Sequence, residues 1–413
     1  MENYSVIIFI MALMMGLSAI AAKVNLPYPV LLITGGIAIG FIPSLPHIVL
    51  NPEVVMLIFL PPLLYDAAFN ISFQQFKTHI STISSLSIGL VFLTTCGIAV
   101  ISYYLIPGMN WPLAFVLGAI LSATDAVAAI GITKGLNLSH KTVSILEGES
   151  LINDASALLA YRLAVAAVTG VSFVFWKASV DFAVLLLGGV LVGQVTGTIM
   201  PLILRWLRTE TLIVISLLML MPLITYSLAE ELHVSGVIAV VVFGLNISRL
   251  SHARFPEPLK QQSKNIWEIL IFLLNGLIFI LIGLQFPYVI KNISHGQILP
   301  NMGYAFIITV AILAIRTVRV FMQKFHLQRG FTSAKTRITE DALLDFQTSF
   351  IISWSGMRGI VSLAIAIGLP EVLENGEPFP HRDTIIFITV AVVLLTLIGQ
   401  GLTLPMIVKK LKG

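Results

Sequence analysis

Residues 111–133 read WPLAFVLGAILSATDAVAAIGIT, an apolar stretch of bilayer length that is interrupted at its centre by Ser122-Ala123-Thr124-Asp125. Residues 341–369 form a second such stretch, interrupted by Ser353-Trp354-Ser355-Gly356-Met357-Arg358-Gly359. An unwound segment at membrane depth leaves backbone N–H and C=O groups unpaired, which is tolerated only beside a cavity, an ion or polar side chains. Paired interruptions are typical of membrane proteins built from inverted repeats. This prediction rests on spacing alone, because the two halves show no sequence identity.

The composition is that of an integral membrane protein. Of the 413 residues, 57% are hydrophobic and only 11% are charged, and the mean hydropathy is +0.97. These values exclude a soluble domain and a disordered chain. The formal net charge of +4 does not indicate a nucleic-acid partner, because the basic residues lie at helix ends and form no patch. The single cysteine, Cys96, lies in an apolar run, and we expect a buried, inert thiol.

The apolar pattern predicts an all-α polytopic membrane protein with about 13 transmembrane helices, of which the fifth and the twelfth are broken. The predicted spans are 4–22, 28–45, 52–70, 80–106, 111–133, 142–170, 180–204, 211–229, 235–248, 265–284, 302–322, 341–369 and 384–408. No basic residue precedes the first span, so we expect it to be retained rather than cleaved as a signal peptide.

Lysine and arginine predict the orientation. Placing the N-terminus outside and the C-terminus in the cytoplasm puts 17 of the 24 basic residues inside, with Lys177, Lys291 and Arg382 outside. Arg162, Arg316, Arg319 and Arg358 fall within spans. Such an asymmetry is how positively charged loops fix the topology of membrane proteins.

The sixth span places polar side chains on one face of an apolar helix. Ser150 and Asp154 share a helical stripe with Glu147, and Glu149 and Asn153 share the adjacent one. An ionisable side chain at bilayer depth costs roughly 2.5–3.5 kcal/mol, which favours a functional role. Oxygen ligands suit a hard cation such as Na⁺. The Asp154 carboxylate could bind a cation or a proton but not both; the alternative is a buried ion pair that only holds helices together.

Further candidates lie on neighbouring spans. Thr124 and Asp125 could contribute a freed carbonyl and a carboxylate, although an aspartate there could also simply cap the second half-helix. Asp66 follows Pro61-Pro62 in the third span and could belong to the site or to its entrance. The arginines Arg316, Arg319 and Arg358 need anions, and Glu149, Asp345 and helix C-termini are the candidates. The histidines fall in or beside predicted loops, outside the candidate ion site.

The motifs closely resemble those of the monovalent cation/proton antiporters of the NhaP type, which are relatives of animal sodium/proton exchangers. The resemblance spans nearly the whole chain, and three motifs carry it: Ser122–Ala128, Glu149-Ser150 with Asn153-Asp154, and Gly356–Gly359. It implies that Asp154 binds Na⁺ and H⁺, with Asp125, Thr124 and Ser150 completing the coordination. It implies that Asp66 is an acidic residue beside the site and that Glu149 and Arg358 form a structural ion pair.

The resemblance also implies a transport mode. Asn153 would occupy the place of a second aspartate in electrogenic relatives, which implies electroneutral exchange of one Na⁺ (or Li⁺) for one H⁺. The alternatives left open are K⁺/H⁺ exchange and, less favoured, a cation channel. Apart from the transported ions we expect no cofactor and no enzymatic activity.

The resemblance further implies a homodimer in the lipid of the cell (plasma or inner) membrane, with a role in pH homeostasis. The transport domain would comprise residues 80–170 and 302–409 and move in an elevator fashion, with 1–79 and 178–301 as the dimerisation scaffold. Many relatives carry a long cytoplasmic regulatory tail, and we expect no tail-based regulation here.

Overall fold

A computed structural model describes residues 2–24, 26–42, 55–71, 73–133, 136, 138–169, 175–206, 210–291, 293–332, 340–373 and 376–412. Within these ranges the chain is helical, and the only strand-like pairing is an isolated bridge between Val372 and Pro378. Parts of the predicted spans at 43–45, 52–54 and 170 lie outside the described residues. So do four of the basic residues used for the orientation: Lys134, Arg208, Lys335 and Arg337.

Each predicted span overlaps one or two helices, and several helices extend beyond the predicted bounds. In chain order they are α1 (Glu2–Val24), α2 (Tyr28–Gly40), α3 (Leu60–Asn70), α4 (Phe73–Thr78), α5 (Ile80–Ser84), α6 (Leu90–Leu105), α7 (Trp111–Ile120), α8 (Ala126–Ile132), α9 (His140–Val168), α10 (Phe175–Trp206), α11 (Thr211–Glu231), α12 (Gly236–Arg254), α13 (Glu257–Lys291), α14 (His295–Thr332), α15 (Phe346–Trp354), α16 (Ile360–Ile367) and α17 (Arg382–Lys412). Wider π-helical turns, Val55–Phe59 and Ser85–Gly89, lead into α3 and α6.

The chain forms two compact units. Unit 1 comprises Met1–Asn51, Thr78–Val171 and Asn275–Gly413, and unit 2 comprises Pro52–Lys77 and Ser172–Leu274. Asp66 therefore belongs to unit 2, whereas the other predicted site residues belong to unit 1. The assignment of transport and dimerisation roles to parts of the chain stays a prediction.

Seven of the described helices are long and apolar enough to cross a membrane, and five further apolar helices are shorter. The chain is thus an all-helical membrane protein, as predicted. The number of spans, their orientation and the breaks in the fifth and twelfth of them stay predictions. The expectation for Cys96 is wrong, because its side chain is exposed on the surface of α6, where apolar neighbours along the sequence do not imply burial.

Polar side chains act as N-caps of several helices. Asn110 accepts the N–H of Leu113 (3.0 Å) at the start of α7, and Ser139 accepts the N–H of Thr142 (3.2 Å) at the start of α9. Asp345 accepts the N–H of Thr348 (3.0 Å) at the start of α15. Each cap pairs one of the N–H groups that a helix leaves free in its first turn.

Candidate functional site

Two extended segments of unit 1 meet at the centre of the site. Residues 121–125 connect α7 to α8, and residues 355–359 connect α15 to α16. The backbone N–H of Asp125 donates to the carbonyl oxygen of Met357 over 2.8 Å, which joins the two segments directly. We call this meeting of residues 121–125 with residues 355–359 the crossing. It pairs part of the backbone that the two interruptions leave without helical hydrogen bonds.

Asp125 lies between the N-termini of α8 and α16, the helices that follow the two extended segments. Its Oδ1 accepts the N–H of Ala128 (3.1 Å), and the N–H groups of Val127 and Ile360 also interact with the carboxylate. A helix N-terminus carries a partial positive charge, so one carboxylate compensates α8 and α16 together. The capping role considered from the sequence is confirmed for α8. The carboxylate also lies close to the start of α16, which the sequence could not place.

Arg358 lies beside the C-terminus of α7. Its Nη1 donates to the carbonyl oxygens of Ser122 and Ala123, the latter at 2.8 Å, just beyond the C-terminus of α7. Its guanidinium therefore meets carbonyl groups that α7 leaves unpaired, and its positive charge suits the negative end of the helix dipole. The backbone N–H of Arg358 donates to Thr396 Oγ1 on α17 (3.2 Å).

The predicted ion pair between Glu149 and Arg358 is wrong, because Glu149 pairs with Arg316. Arg316 donates from Nη1 to Glu149 Oε1 and from Nη2 to Oε2 (2.8 Å), and both side chains are almost completely buried. The Nε of Arg316 donates to the carbonyl of Ile352 on α15 (3.0 Å). The physical reason for the exchange of partners is that Arg358 is engaged by the carbonyl groups of the interrupted helix.

Gly356 provides the space for this pair. A Cβ atom at position 356 would lie 2.3 Å from the Cδ atom of Arg316. The missing side chain allows Arg316 to pass the extended segment and reach Glu149. One signal for this arrangement was present in the sequence, since an arginine within an apolar span requires a buried acid as partner.

Thr124 links the first extended segment to α9. Its hydroxyl accepts from Asn153 Nδ2 (2.8 Å) and donates to Glu149 Oε1 (3.4 Å). Its carbonyl oxygen accepts from Ser150 Oγ (3.1 Å), and Ser150 Oγ in turn faces the N–H of Ala126 (3.4 Å). The polar stripe predicted on α9 therefore contacts the predicted residues of the first interruption.

Asp154 is buried at the end of this stripe. The residue is 5% exposed, and its Oδ1 has no hydrogen-bond partner among the described residues. Asp125 is close enough to act on it electrostatically. A buried carboxylate oxygen without a partner is costly, so this position is suited to a cation or a proton.

Asp66 lies on α3 within unit 2. Its Oδ1 accepts from Asn70 Nδ2 over 3.0 Å, and Glu268 on α13 acts on it electrostatically. Its predicted place beside the ion site stays a prediction. In the described part of the chain, no group of three or more His, Cys, Asp or Glu side chains could hold a metal ion. A cation at Asp154 would therefore need neutral oxygen ligands as well as carboxylates.

Together these features define an all-helical membrane protein in which two non-helical segments meet beside a buried acid. The chain belongs to the family described as "Sodium/hydrogen exchanger, transmembrane", whose profile matches residues 8–410. The resemblance drawn from the sequence motifs is confirmed.

Individual relatives support the same family. The sodium, potassium, lithium and rubidium/H⁺ antiporter of Bacillus pumilus is 33% identical over 420 residues, which cover 99% of this chain and 62% of that protein. The chain thus spans less than two thirds of that antiporter's length. An uncharacterized Na⁺/H⁺ exchanger of Escherichia coli is 31% identical, covering 98% of this chain and 76% of that protein.

A solved structure shares the fold. The sodium proton antiporter MjNhaP1 from Methanocaldococcus jannaschii, determined at pH 8, superposes with a TM-score of 0.72 at 22% sequence identity. The match covers 100% of both chains. The arrangement of helices described above is therefore that of a known antiporter fold.

Proposed function

We propose that the chain is a secondary active transporter that exchanges Na⁺ or Li⁺ for H⁺ at Asp154. The observation that carries this proposal is the buried Oδ1 of Asp154, which has no hydrogen-bond partner among the described residues and lies near Asp125. A cation or a proton would stabilise this carboxylate, and the two would compete for it. If the site opens in turn to each side of the membrane, this competition moves the cation in one direction and the proton in the other.

The proposed cation site combines two carboxylates with neutral oxygens. Asp154 and Asp125 supply charge, and the Thr124 carbonyl and the Ser150 hydroxyl supply further oxygens. The carbonyl of Thr124 has two lone pairs, and Ser150 occupies one of them. Hard oxygen ligands of this kind fit an alkali cation. Asp66 is proposed as an additional acid that attracts the cation.

We infer electroneutral exchange of one cation for one proton. Asn153 lies beside Asp154 in the sequence, and its Nδ2 donates to Thr124 Oγ1. An amide carries no titratable proton, so Asn153 cannot move a second charge with the cycle. One carboxylate that alternates between a monovalent cation and a proton carries equal charge in both directions.

K⁺/H⁺ exchange is the second candidate function, and one observation favours it. The Bacillus pumilus relative is named for potassium and rubidium as well as for sodium and lithium. Selectivity among these ions depends on cavity size and on the field strength of the ligands. A cation channel is less favoured, because the polar residues converge on one buried cluster rather than on rings along a pore.

The remaining proposals concern the whole transporter. We propose that it acts as a homodimer in the cell membrane of the organism, serves pH homeostasis and requires no cofactor. Residues 80–170 and 302–409 would move as the transport domain by an elevator mechanism, against a scaffold formed by 1–79 and 178–301.

The test is ion exchange by the purified protein in proteoliposomes with an imposed pH gradient. Addition of Na⁺ or Li⁺, but not choline, is expected to dissipate the gradient, independently of a membrane potential clamped with valinomycin and K⁺. Dissipation by K⁺ alone would establish the second candidate, and strong voltage dependence would contradict electroneutrality. The absence of dissipation by any cation would refute exchange.

Asp154→Asn tests the assignment of the site. The amide keeps the shape of the side chain but removes its charge and its proton, so exchange is expected to be abolished while folding is retained. Asp181→Asn is the matched control, because Asp181 is exposed on α10 and should be dispensable. Residual exchange in Asp154→Asn at a rate near that of the control would show that another group carries the ion.

A further inference from the structure

Helix α17 carries a row of polar side chains through an otherwise apolar stretch. Thr389, Thr396, Gln400 and Thr403 follow one another at spacings of seven, four and three residues, which places them on one face of the helix. This face is turned inward, because Thr389 and Thr396 are 0% exposed and Gln400 is 3% exposed. A buried hydroxyl or amide is costly unless it forms hydrogen bonds. The proposed exchange at Asp154 uses none of these side chains.

Three of these side chains hold the second interruption. Gln400 Nε2 donates to the carbonyl oxygen of Trp354, the last residue of α15, over 2.8 Å. Thr403 Oγ1 accepts from the indole Nε1 of the same tryptophan over 2.9 Å. Thr396 Oγ1 accepts the backbone N–H of Arg358 over 3.2 Å. We call Thr396, Gln400 and Thr403 the polar row, and it pairs backbone groups that the interrupted helix leaves free.

The hydrogen bond to Thr396 acts on the same peptide group that contacts Asp125. The carbonyl of Met357 and the N–H of Arg358 belong to one planar, rigid peptide unit. The carbonyl accepts the N–H of Asp125 over 2.8 Å, while the N–H donates to Thr396. This plane is therefore held from two sides, by α17 and by the first interruption. A rotation of the plane would weaken both hydrogen bonds together.

The hydroxyl of Thr396 has a fixed direction. It donates to the carbonyl oxygen of Val393, one turn earlier on α17, over 3.0 Å. A hydroxyl has a single proton, so only its lone pairs remain for other groups. The oxygen that faces the backbone of Arg358 is thus an acceptor, which is what an N–H group requires. Hydrogen bonds in such a chain polarise one another, so the loss of one weakens the next.

We propose that Thr396 is a positioning residue for the cation site and that the rest of the polar row supports it by fixing the end of α15. Thr396 is not one of the proposed ligands. It acts through the peptide unit of residues 357–358 on Asp125, whose carboxylate is a proposed ligand. Without the hydroxyl, this peptide unit is free to turn, Asp125 loses its fixed place and cation binding weakens. This role rests on the proposed exchange function.

Thr396→Val provides the first test, in proteoliposomes with a range of Na⁺ concentrations. Valine keeps the shape of the side chain and removes the hydroxyl, so the KM for Na⁺ should rise about threefold to tenfold, as for the loss of one buried hydrogen bond. The maximal rate at saturating Na⁺ should stay close to that of the wild type, because the proposed ligands are all present. Thr396→Ser keeps the hydroxyl and should keep the KM near its wild-type value.

Thr389→Val is the matched control. Thr389 lies two turns before Thr396 on the same face of α17 and is equally buried, but its Oγ1 has no hydrogen-bond partner among the described residues. The same substitution there removes a hydroxyl without freeing the peptide unit, so the KM should not change. The positioning role would be overturned by an unchanged KM in Thr396→Val, by an equal rise in both valine variants, or by a loss confined to the maximal rate.

Gln400→Met tests the supporting contact. Methionine is unbranched and of similar length, but it cannot donate to the carbonyl of Trp354. The KM for Na⁺ should rise by less than in Thr396→Val, because the peptide unit beside Asp125 keeps its own hydrogen bond to α17. A larger rise in Gln400→Met than in Thr396→Val would contradict the assignment of the main contact to Thr396.

Hydrogen exchange measures the contact without transport. The carbonyl of Met357 protects the N–H of Asp125, so this amide should exchange about fivefold faster in Thr396→Val than in the wild type, and at the wild-type rate in Thr389→Val. Unchanged exchange of the Asp125 amide in Thr396→Val would refute the positioning role. Faster exchange in a protein that carries no ion would support the positioning of Asp125 and contradict the proposed exchange function.

Discussion

At the scale of single residues, the missing side chain of Gly359 sets the position of Asp125. A Cβ atom there would lie 1.9 Å from Asp125 Oδ2 and 2.6 Å from its Cγ. The φ of Gly359 is −141°, outside the left-handed region, so the requirement for glycine is argued from the space that a Cβ atom would need. The carboxylate that caps α8 is thus packed against the backbone of the second interruption, at the start of α16.

Gly359→Ala should therefore displace the Asp125 carboxylate from the two helix N-termini. We expect at least about a tenfold lower exchange rate and a loss of stability of about 1–3 kcal/mol, as for other overpacked buried positions. Exchange in proteoliposomes and thermal unfolding in detergent measure the two effects. Gly399→Ala is the control, because no atom lies within 4 Å of the added methyl group. Equal behaviour of the two variants would contradict the role of Gly359.

At the scale of helices, the pair of Glu149 and Arg316 ties α9 to α14. Both partners are almost completely buried, and Arg316 also holds the carbonyl of Ile352 on α15. Removing one partner of a buried pair leaves an uncompensated charge. The pair therefore fixes three helices around the crossing, one of which carries the interrupted segment.

Arg316→Met should destabilise the protein by about 3–5 kcal/mol, because Glu149 loses its partner. The double variant Glu149→Gln/Arg316→Met should recover most of this loss, since no buried charge remains. Thermal unfolding in detergent measures both. Arg319→Met on the same helix is the matched control: Arg319 is partly exposed and forms no ion pair in the described part of the chain. A loss as large in Arg319→Met would show that the pair itself is not responsible.

The sequence predicted the helices of the site but not all of their contacts. The spacing predicted that Ser150 and Asp154 share one helical stripe and that Asn153 lies on the adjacent one. Only the family resemblance implied that they meet the first interruption, and Ser150 and Asn153 do contact Thr124. The partner of Glu149 was not predictable, because four arginines fell within the predicted spans and the register between distant helices is not encoded in local spacing. The approach of Asp125 to the start of α16 was not predictable for the same reason, since Ile360 is remote in the chain.

At the scale of the whole molecule, composition and periodicity predicted an all-helical membrane protein, and the fold agrees. Orientation rests on a different argument, the asymmetry of lysine and arginine between the two sides. Moving a loop rich in positive charge across the bilayer is unfavourable, so the basic side stays in the cytoplasm. The exposed residues Lys264 and Glu377 lie on opposite sides in this topology.

Labelling of single cysteines tests the orientation. In a Cys96→Ala background, Glu377→Cys should react with a membrane-impermeant maleimide in intact cells, whereas Lys264→Cys should react only after the membrane is permeabilised. The background change is needed because Cys96 is itself exposed on α6. Retained Na⁺-dependent exchange in each variant controls for misfolding. Labelling of Lys264→Cys in intact cells, with Glu377→Cys protected, would reverse the topology.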